Sequence, residues 1–137
     1  MSDLTTMAAQ VLDSQPFSRH LGARMIEAGE GRVVIELPIA DHLKQQHGFV
    51  HGGAISYLAD NAITFAGGLA YGGGGALTSE FKINYLRPAV GAALIARAEV
   101  KSLGRRQAVC VCEVFARDDA GEEKLCALAQ GTVAKIE

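Results

Sequence analysis

Hydrophobic positions divide this chain into one long helical stretch flanked by strand-like ones. After His51-Gly52-Gly53, apolar side chains fall at Ile55, Leu58, Ala59, Ala62, Ile63, Ala66 and Leu69, the three-and-four spacing of an α-helix. The opposite face is apolar too, through Ala54, Tyr57 and Phe65, which predicts a helix enclosed by the rest of the fold. Gly67-Gly68 weaken its end, and the four glycines at 72–75 terminate it. Upstream, Leu4, Met7, Ala8, Val11 and Leu12 mark a weaker helix over residues 4–13, stopped or kinked at Pro16, with Phe17 and Leu21 as anchors onto the body. Residues 23–30 and 32–38 read as strands joined at Glu30-Gly31. Residues 41–50 form a polar loop before the long helix.

Beyond the glycines the pattern changes to period two. Over residues 78–86, Phe81, Ile83 and Tyr85 face one way and Glu80, Lys82 and Asn84 the other, up to Arg87-Pro88. Residues 92–103 and 107–117 flank a turn at Gly104-Arg105-Arg106, residues 118–121 make another turn, and residues 124–136 form a last strand. The order predicts the α+β class: an antiparallel sheet of five to six strands wrapped around one long central helix. No linker or repeat divides the chain, so residues 1–137 are expected to form one domain, with 1–20 as a lead-in. Such a sheet leaves edge strands that a second copy could pair.

Composition narrows the class. At 49% hydrophobic and 20% charged residues, the 137-residue chain has enough apolar surface for a core. A net charge of −2 gives no electrostatic reason to expect a nucleic-acid or membrane partner. No apolar run is long enough to span a bilayer, and the start lacks the basic-then-apolar order of a secretory signal. Three cysteines, an odd number, argue against a disulfide framework, so a cytoplasmic protein is expected.

Candidate chemistry centres on the long helix. Asp60 sits in its apolar middle, where a carboxylate is costly unless paired or used. At its start, Gly52 and Gly53 let a ligand approach backbone N–H groups at the positive end of the helix dipole, a place suited to an oxyanion. Eight residues separate Gly52 from Asp60, about 12 Å along a helix axis. A carbonyl-polarising donor and an attacking base must each lie within about 3 Å of their targets. One chain therefore cannot bring both to one carbonyl, and if both act they come from two copies with antiparallel helices, in an isologous dimer with two composite sites. His47 and His51 are four apart, but a glycine follows the first and no third ligand is evident, so no metal is expected. Cys110, Cys112 and Cys126 read as core residues. The four glycines lack the lysine of a phosphate loop and read as a turn. Arg105-Arg106, with Lys101 and Arg117 nearby, fits either a solvated hairpin end or an anion site.

The series Gln45-x-x-Gly48-x-x-His51-Gly52-Gly53, followed by Leu58-Ala59-Asp60 and Thr64, resembles the signature of hotdog-fold acyl-CoA thioesterases of the PaaI type. The run from Phe81 through Tyr85 to Pro88 and the Gly104-Arg105-Arg106 turn resemble the family's following strand and hairpin, so the resemblance covers about residues 15–136. The family carries asparagine where Gln45 stands. The resemblance implies a hotdog fold and hydrolysis of an aryl- or medium-chain acyl-CoA without a cofactor, in a dimer of dimers. Gly52 would polarise the thioester carbonyl. Asp60 of the neighbouring subunit would act as nucleophile or general base. His51 and Gln45 would orient the thioester or water, and Thr64 and Thr78 would help hold water. Gly53, Arg87, Arg105 and Arg106 would meet substrate or CoA phosphates. Small side chains at Ala54, Ser56, Ala59 and Ala62 are expected to leave room for the acyl group. Two other readings remain at this stage: a hotdog hydratase or dehydratase using His51, and a non-catalytic acyl-CoA binder.

Overall fold

The computed structural model describes residues 2–136. The lead-in is two helices rather than one. Helix α1 spans Asp3–Ser14, with Ser2 capping it by accepting the Thr5 N–H at 3.1 Å. Pro16 does not end the helical region. It occupies the first turn of α2 (Pro16–Leu21), where a missing N–H costs nothing, and the residue before it, Gln15, is extended as proline demands. Thr5 pins α1 to the body: its hydroxyl donates to the Ala28 carbonyl and accepts the Ala28 N–H.

Six antiparallel strands follow: β1 (Arg24–Gly29), β2 (Arg32–Pro38), β3 (Ala76–Tyr85), β4 (Ala93–Leu103), β5 (Gln107–Arg117) and β6 (Glu123–Lys135). Their order in the sheet is β1-β2-β4-β5-β6-β3, so β3 is an edge although it lies fourth from the end of the chain. Helix α3 (Gly52–Ala70) packs on one face, against β2 through β6. Leu58, Ile63 and Ala66 from α3 meet Ile35, Leu37, Leu94, Val114 and Val133 from the sheet, all fully buried or nearly so. Each such aliphatic side chain contributes about 1.5–3 kcal/mol through burial.

The glycines within α3 do not fray it. A Cβ at Gly67 would lie 2.9 Å from that of Val133, so glycine lets the helix press onto β6, and this packing offsets its poor propensity. The helix closes beyond Ala70 with the Gly73 N–H bonded to the Gly68 carbonyl, and Gly72 and Gly73 adopt positive φ.

The expectation of a fully enclosed helix needs one correction. A stripe of α3 made by Gly53, Tyr57, Asp60, Asn61, Thr64 and Gly68 is not buried. These residues recur at three- and four-residue spacing on the side turned away from the sheet. Asp60 is therefore half-buried in the protomer, not a core acid. Ala54, Ala59 and Ala62 lie on the opposite, buried side and leave no room for an acyl group, and of the four small residues only Ser56 is partly accessible.

Candidate active site

The start of α3 is organised by His51. Its imidazole Nδ1 accepts the Gly53 N–H at 2.8 Å, and its carbonyl accepts the Ala54 N–H at 2.9 Å. An Nδ1 used as acceptor leaves the ring hydrogen on Nε2. Among the described residues the Gly52 N–H has no hydrogen-bond partner, unlike the Gly53 and Ala54 N–H groups that follow it. The two glycines differ accordingly. A Cβ at Gly53 would meet His51 Nδ1 at 2.9 Å, so glycine there makes room for the cap. The expectation that Gly53 serves a ligand is corrected by this, since its N–H is already taken. A Cβ at Gly52 would meet the Tyr85 phenol first, at an ordinary 3.5 Å, and Gly52 has no positive φ. Nothing within the protomer accounts for glycine at 52.

Gly52 borders a cavity of about 390 Å³ shared with Gln45, Phe49, Tyr85, Leu86 and Arg87. Gln45 lies in a tight loop in which its backbone pairs with Phe49 and Gly48 and its side-chain oxygen accepts the His47 N–H. That leaves the Gln45 side-chain NH2 as a donor beside the cavity. Three expected residues, Gln45, Gly52 and Arg87, are thus brought together. His47 stays on the exposed loop while His51 caps the helix, so the two do not form a pair on one helical face.

Asp60 belongs to a different place. It is two turns further along α3 and does not line the Gly52 cavity. Its Oδ1 accepts the Thr78 hydroxyl at 2.6 Å, the Thr64 hydroxyl donates to the Asp60 carbonyl at 2.8 Å, and the two hydroxyls lie 2.7 Å apart. Two hydroxyl hydrogens cannot fill three contacts. With Asp60 ionised, Thr78 and Thr64 each donate to it. With Asp60 protonated, the carboxyl can donate to Thr78, Thr78 to Thr64 and Thr64 to the Asp60 carbonyl, which fills all three. The cluster therefore accommodates either protonation state.

On the other side of the open stripe is a network that sequence reasoning missed. Tyr57 donates to the buried Ser18 hydroxyl at 2.6 Å, Ser18 to Gln15, and the Asn61 NH2 reaches Gln15, Ser18 and Tyr57. Phe17 stacks edge-on against Tyr57 with ring centres 5.3 Å apart. The only signal in the sequence was a tyrosine and an asparagine four apart on a mostly apolar helix. Tyr85 was missed as a site residue as well, being read as one more strand aromatic.

Arg87, Arg105 and Arg106 are all exposed but are not neighbours. Arg87 follows the end of β3 beside Cys126, whereas Arg106 pairs through its carbonyl with Lys135. Nine residues of β6 separate these points, about 30 Å. The cysteines are free and buried, and burial pushes their thiols up, to about 11 for Cys110 and Cys126 and about 12 for Cys112. They are packing residues with no thiolate to offer. A larger cavity, about 720 Å³, lies on the sheet face away from α3 among Arg32, Arg97, Glu99 and Glu113, and it contains none of the expected site residues.

No helix among the described residues is long and apolar enough to cross a membrane. Residues 47–123 match the profile of the Thioesterase superfamily. A thioesterase family protein from Silicibacter pomeroyi superposes with a TM-score of 0.88 at 35% identity, covering 95% of this chain and 96% of that one. The Escherichia coli acyl-coenzyme A thioesterase PaaI is 29% identical over 94% of this chain and 89% of its own length, and its structure superposes with a TM-score of 0.84. A thioesterase from Haemophilus influenzae is 26% identical with a TM-score of 0.85, covering all of this chain and 93% of that one. A six-stranded antiparallel sheet around one long helix, carrying the His51-Gly52-Gly53 and Asp60 pattern, therefore places this chain in the thioesterase superfamily as a PaaI-like hotdog protein, a thioester hydrolase.

Proposed function

We propose that the protein hydrolyses acyl-CoA thioesters in a site shared between two copies. The carrying observation is the separation of a free Gly52 N–H from the Asp60–Thr78 carboxylate on one rigid helix. They lie about 12 Å apart, too far to serve one carbonyl. A two-fold axis beside the open stripe of α3, with β3 edges paired across it, brings Gly52 of one copy to Asp60 of the other. The unpaired edge of β3, with Leu77 64% exposed, supports that arrangement. It also turns the Arg105-Arg106 end of one copy toward the Arg87 end of the other, where both can meet the CoA phosphates. Further pairing into a dimer of dimers and a cytoplasmic location belong to the same reading.

In this mechanism Asp60 acts as general base. It draws a proton from water, and the water oxygen bonds to the thioester carbon. The developing oxyanion is held by the Gly52 N–H, with the Gln45 NH2 and His51 Nε2–H orienting the thioester. The C–S bond then breaks, the proton passes to sulfur, and a carboxylic acid and the CoA thiol leave. The ability of the Asp60–Thr78–Thr64 cluster to hold either protonation state favours the base over an anhydride-forming nucleophile. The Tyr57–Phe17 aromatic pair on the stripe favours an aryl acyl group over a straight chain.

The test is a panel of aryl- and alkyl-CoA esters followed by release of free thiol. Wild-type protein is expected to turn over aryl esters fastest, and Asp60→Asn to lose about 10²–10⁴-fold in kcat with its fold and CoA affinity kept. An Asp60→Asn variant of near-normal turnover would falsify the role of Asp60, and absence of thiol release from every ester would remove the acyl-CoA reading.

A further inference from the structure

We propose that Tyr85 is a positioning residue of the reaction, holding the Gly52 amide in its working direction and forming a wall of the groove that admits the thioester arm. The inference rests on the reading of Gly52 as the carbonyl-polarising group. Tyr85 is the last residue of β3 and is 52% exposed, yet the phenol end of its side chain is engaged with Gly52. Its hydroxyl donates to the Gly52 carbonyl at 3.2 Å. Its ring carbons Cε1 and Cζ lie 3.5 Å, and its hydroxyl oxygen 3.6 Å, from where a Gly52 Cβ would be, so the phenol covers the bare Cα in place of a side chain. The same ring borders the cavity of about 390 Å³ shared with Gln45 and Arg87.

The geometry assigns the two halves of Tyr85 different tasks. Gly52 is the first residue of α3, where backbone N–H groups have no helical partner. The Gly53 amide is held by His51, and the Gly52 carbonyl is tied by Tyr85. These two groups are the ends of one peptide plane, and the preceding plane, which carries the Gly52 N–H, is held through the His51 carbonyl by the Ala54 N–H, so with both planes anchored the Gly52 N–H has one direction. The phenol ring, with Phe49, Ile55 and Leu86, makes the groove apolar along its length, while Gln45 and Arg87 place polar groups on it. That combination suits an extended chain with a few amides, such as a pantetheine arm.

The test compares Tyr85→Phe, which keeps the ring, with Tyr85→Ala, which removes both halves, in the full-length protein. Tyr85→Phe is expected to lower kcat about 3–10-fold, the worth of one hydrogen bond, with KM within twofold of wild type. Tyr85→Ala is expected to add a rise in KM of about fivefold or more, through loss of the groove wall. The Gly52 amide cross-peak in a ¹⁵N–¹H NMR spectrum of the free protein is expected to move in Tyr85→Phe. That readout does not depend on turnover, so it separates failure of this inference from failure of the acyl-CoA reading. Kinetic constants of both variants within twofold of wild type, an unmoved Gly52 amide, or activity falling only in step with loss of folded protein would each overturn the assignment.

Discussion

Replacing Gly52 by alanine sets stability against activity. Alanine is better than glycine in a helix by about 1 kcal/mol at interior positions and by a fraction of that in the first turn. The nearest atoms to the added methyl belong to Tyr85, at 3.5 Å, an ordinary van der Waals distance, and no backbone rearrangement is required. Gly52→Ala should therefore melt at or slightly above the wild-type temperature, by up to about 3 °C for a chain of this size. In the proposed mechanism the same methyl projects at the rim of the Gly52 cavity, where the thioester would approach the amide. Loss of one oxyanion donor costs about 10²–10³-fold in kcat. The neighbouring substitution behaves oppositely in stability. Gly53→Ala places its Cβ 2.9 Å from His51 Nδ1, which displaces the cap, and losing such a cap costs about 0.5–2 kcal/mol. Thermal melts and a free-thiol turnover assay on the two variants form the comparison. Gly52→Ala turning over within threefold of wild type would refute the assignment of Gly52 to the reacting carbonyl.

Three other outcomes follow from the same geometry. Thr78→Val keeps the shape of the side chain but removes the donor to Asp60 Oδ1, and kcat should fall about 10–100-fold with little change in KM; steady-state kinetics on one good ester decides it. Cys110, Cys112 and Cys126, buried and with thiols raised to about 11, 12 and 11, should resist iodoacetamide at pH 8 in the native protein and react fully in denaturant, read by intact mass; rapid native labelling would contradict their burial. Arg97 bonds Glu123 through both guanidinium arms, and this hydrogen bonding holds the Glu123 carboxyl below its usual 4.5. The stability it contributes is complete above that value and is lost as pH falls through the lower folded value. The pair is partly exposed, so Glu123→Gln should cost less than about 1 kcal/mol at pH 7 and nothing well below pH 4, as measured by urea melts across pH.

The residues made the fold legible because each element obeyed one period. The three-and-four spacing from Ile55 to Leu69 marks the buried side of α3, and strands β4 to β6 lie within a residue or two of where alternation puts them. Pro16 stops the first helix as expected, but that it also opens a second one was not legible, because a proline at the first turn of a helix and a proline after the end of one look alike in sequence. Thr78 was legible only by resemblance. Alternation through Phe81, Ile83 and Tyr85 turns position 78 away from the helix. A register shift between Thr78 and Glu80 inserts one extra residue, and both Thr78 and Phe81 then face α3. Asp60 misled in the other direction: apolar neighbours on both sides of it suggested burial, but Tyr57, Asn61 and Thr64 share its stripe and use their polar ends there.

Three features of the protomer lack an explanation within it, and they converge. Gly52 forgoes a fraction of the roughly 1 kcal/mol of helix propensity that glycine costs in a helix interior, at a position where neither φ nor its nearest neighbours require glycine. Asp60 is held in a defined hydrogen-bonded pose on a stripe that α2 and β3 border and leave partly open. β3, the strand that supplies Thr78 to Asp60 and Tyr85 to Gly52, ends the sheet with an unpaired edge. An isolated chain would gain nothing from this combination, since an open edge and an accessible carboxylate add liabilities without a task. A second copy set against β3 and the stripe removes all three anomalies together. On that reasoning a variant blocked at the β3 edge, for example Leu77→Lys, should lose its partner and its turnover in parallel while each chain stays folded, so that mass photometry and the thiol assay track one another across protein concentration. A monomeric Leu77→Lys protein with undiminished turnover would require a site complete within one chain.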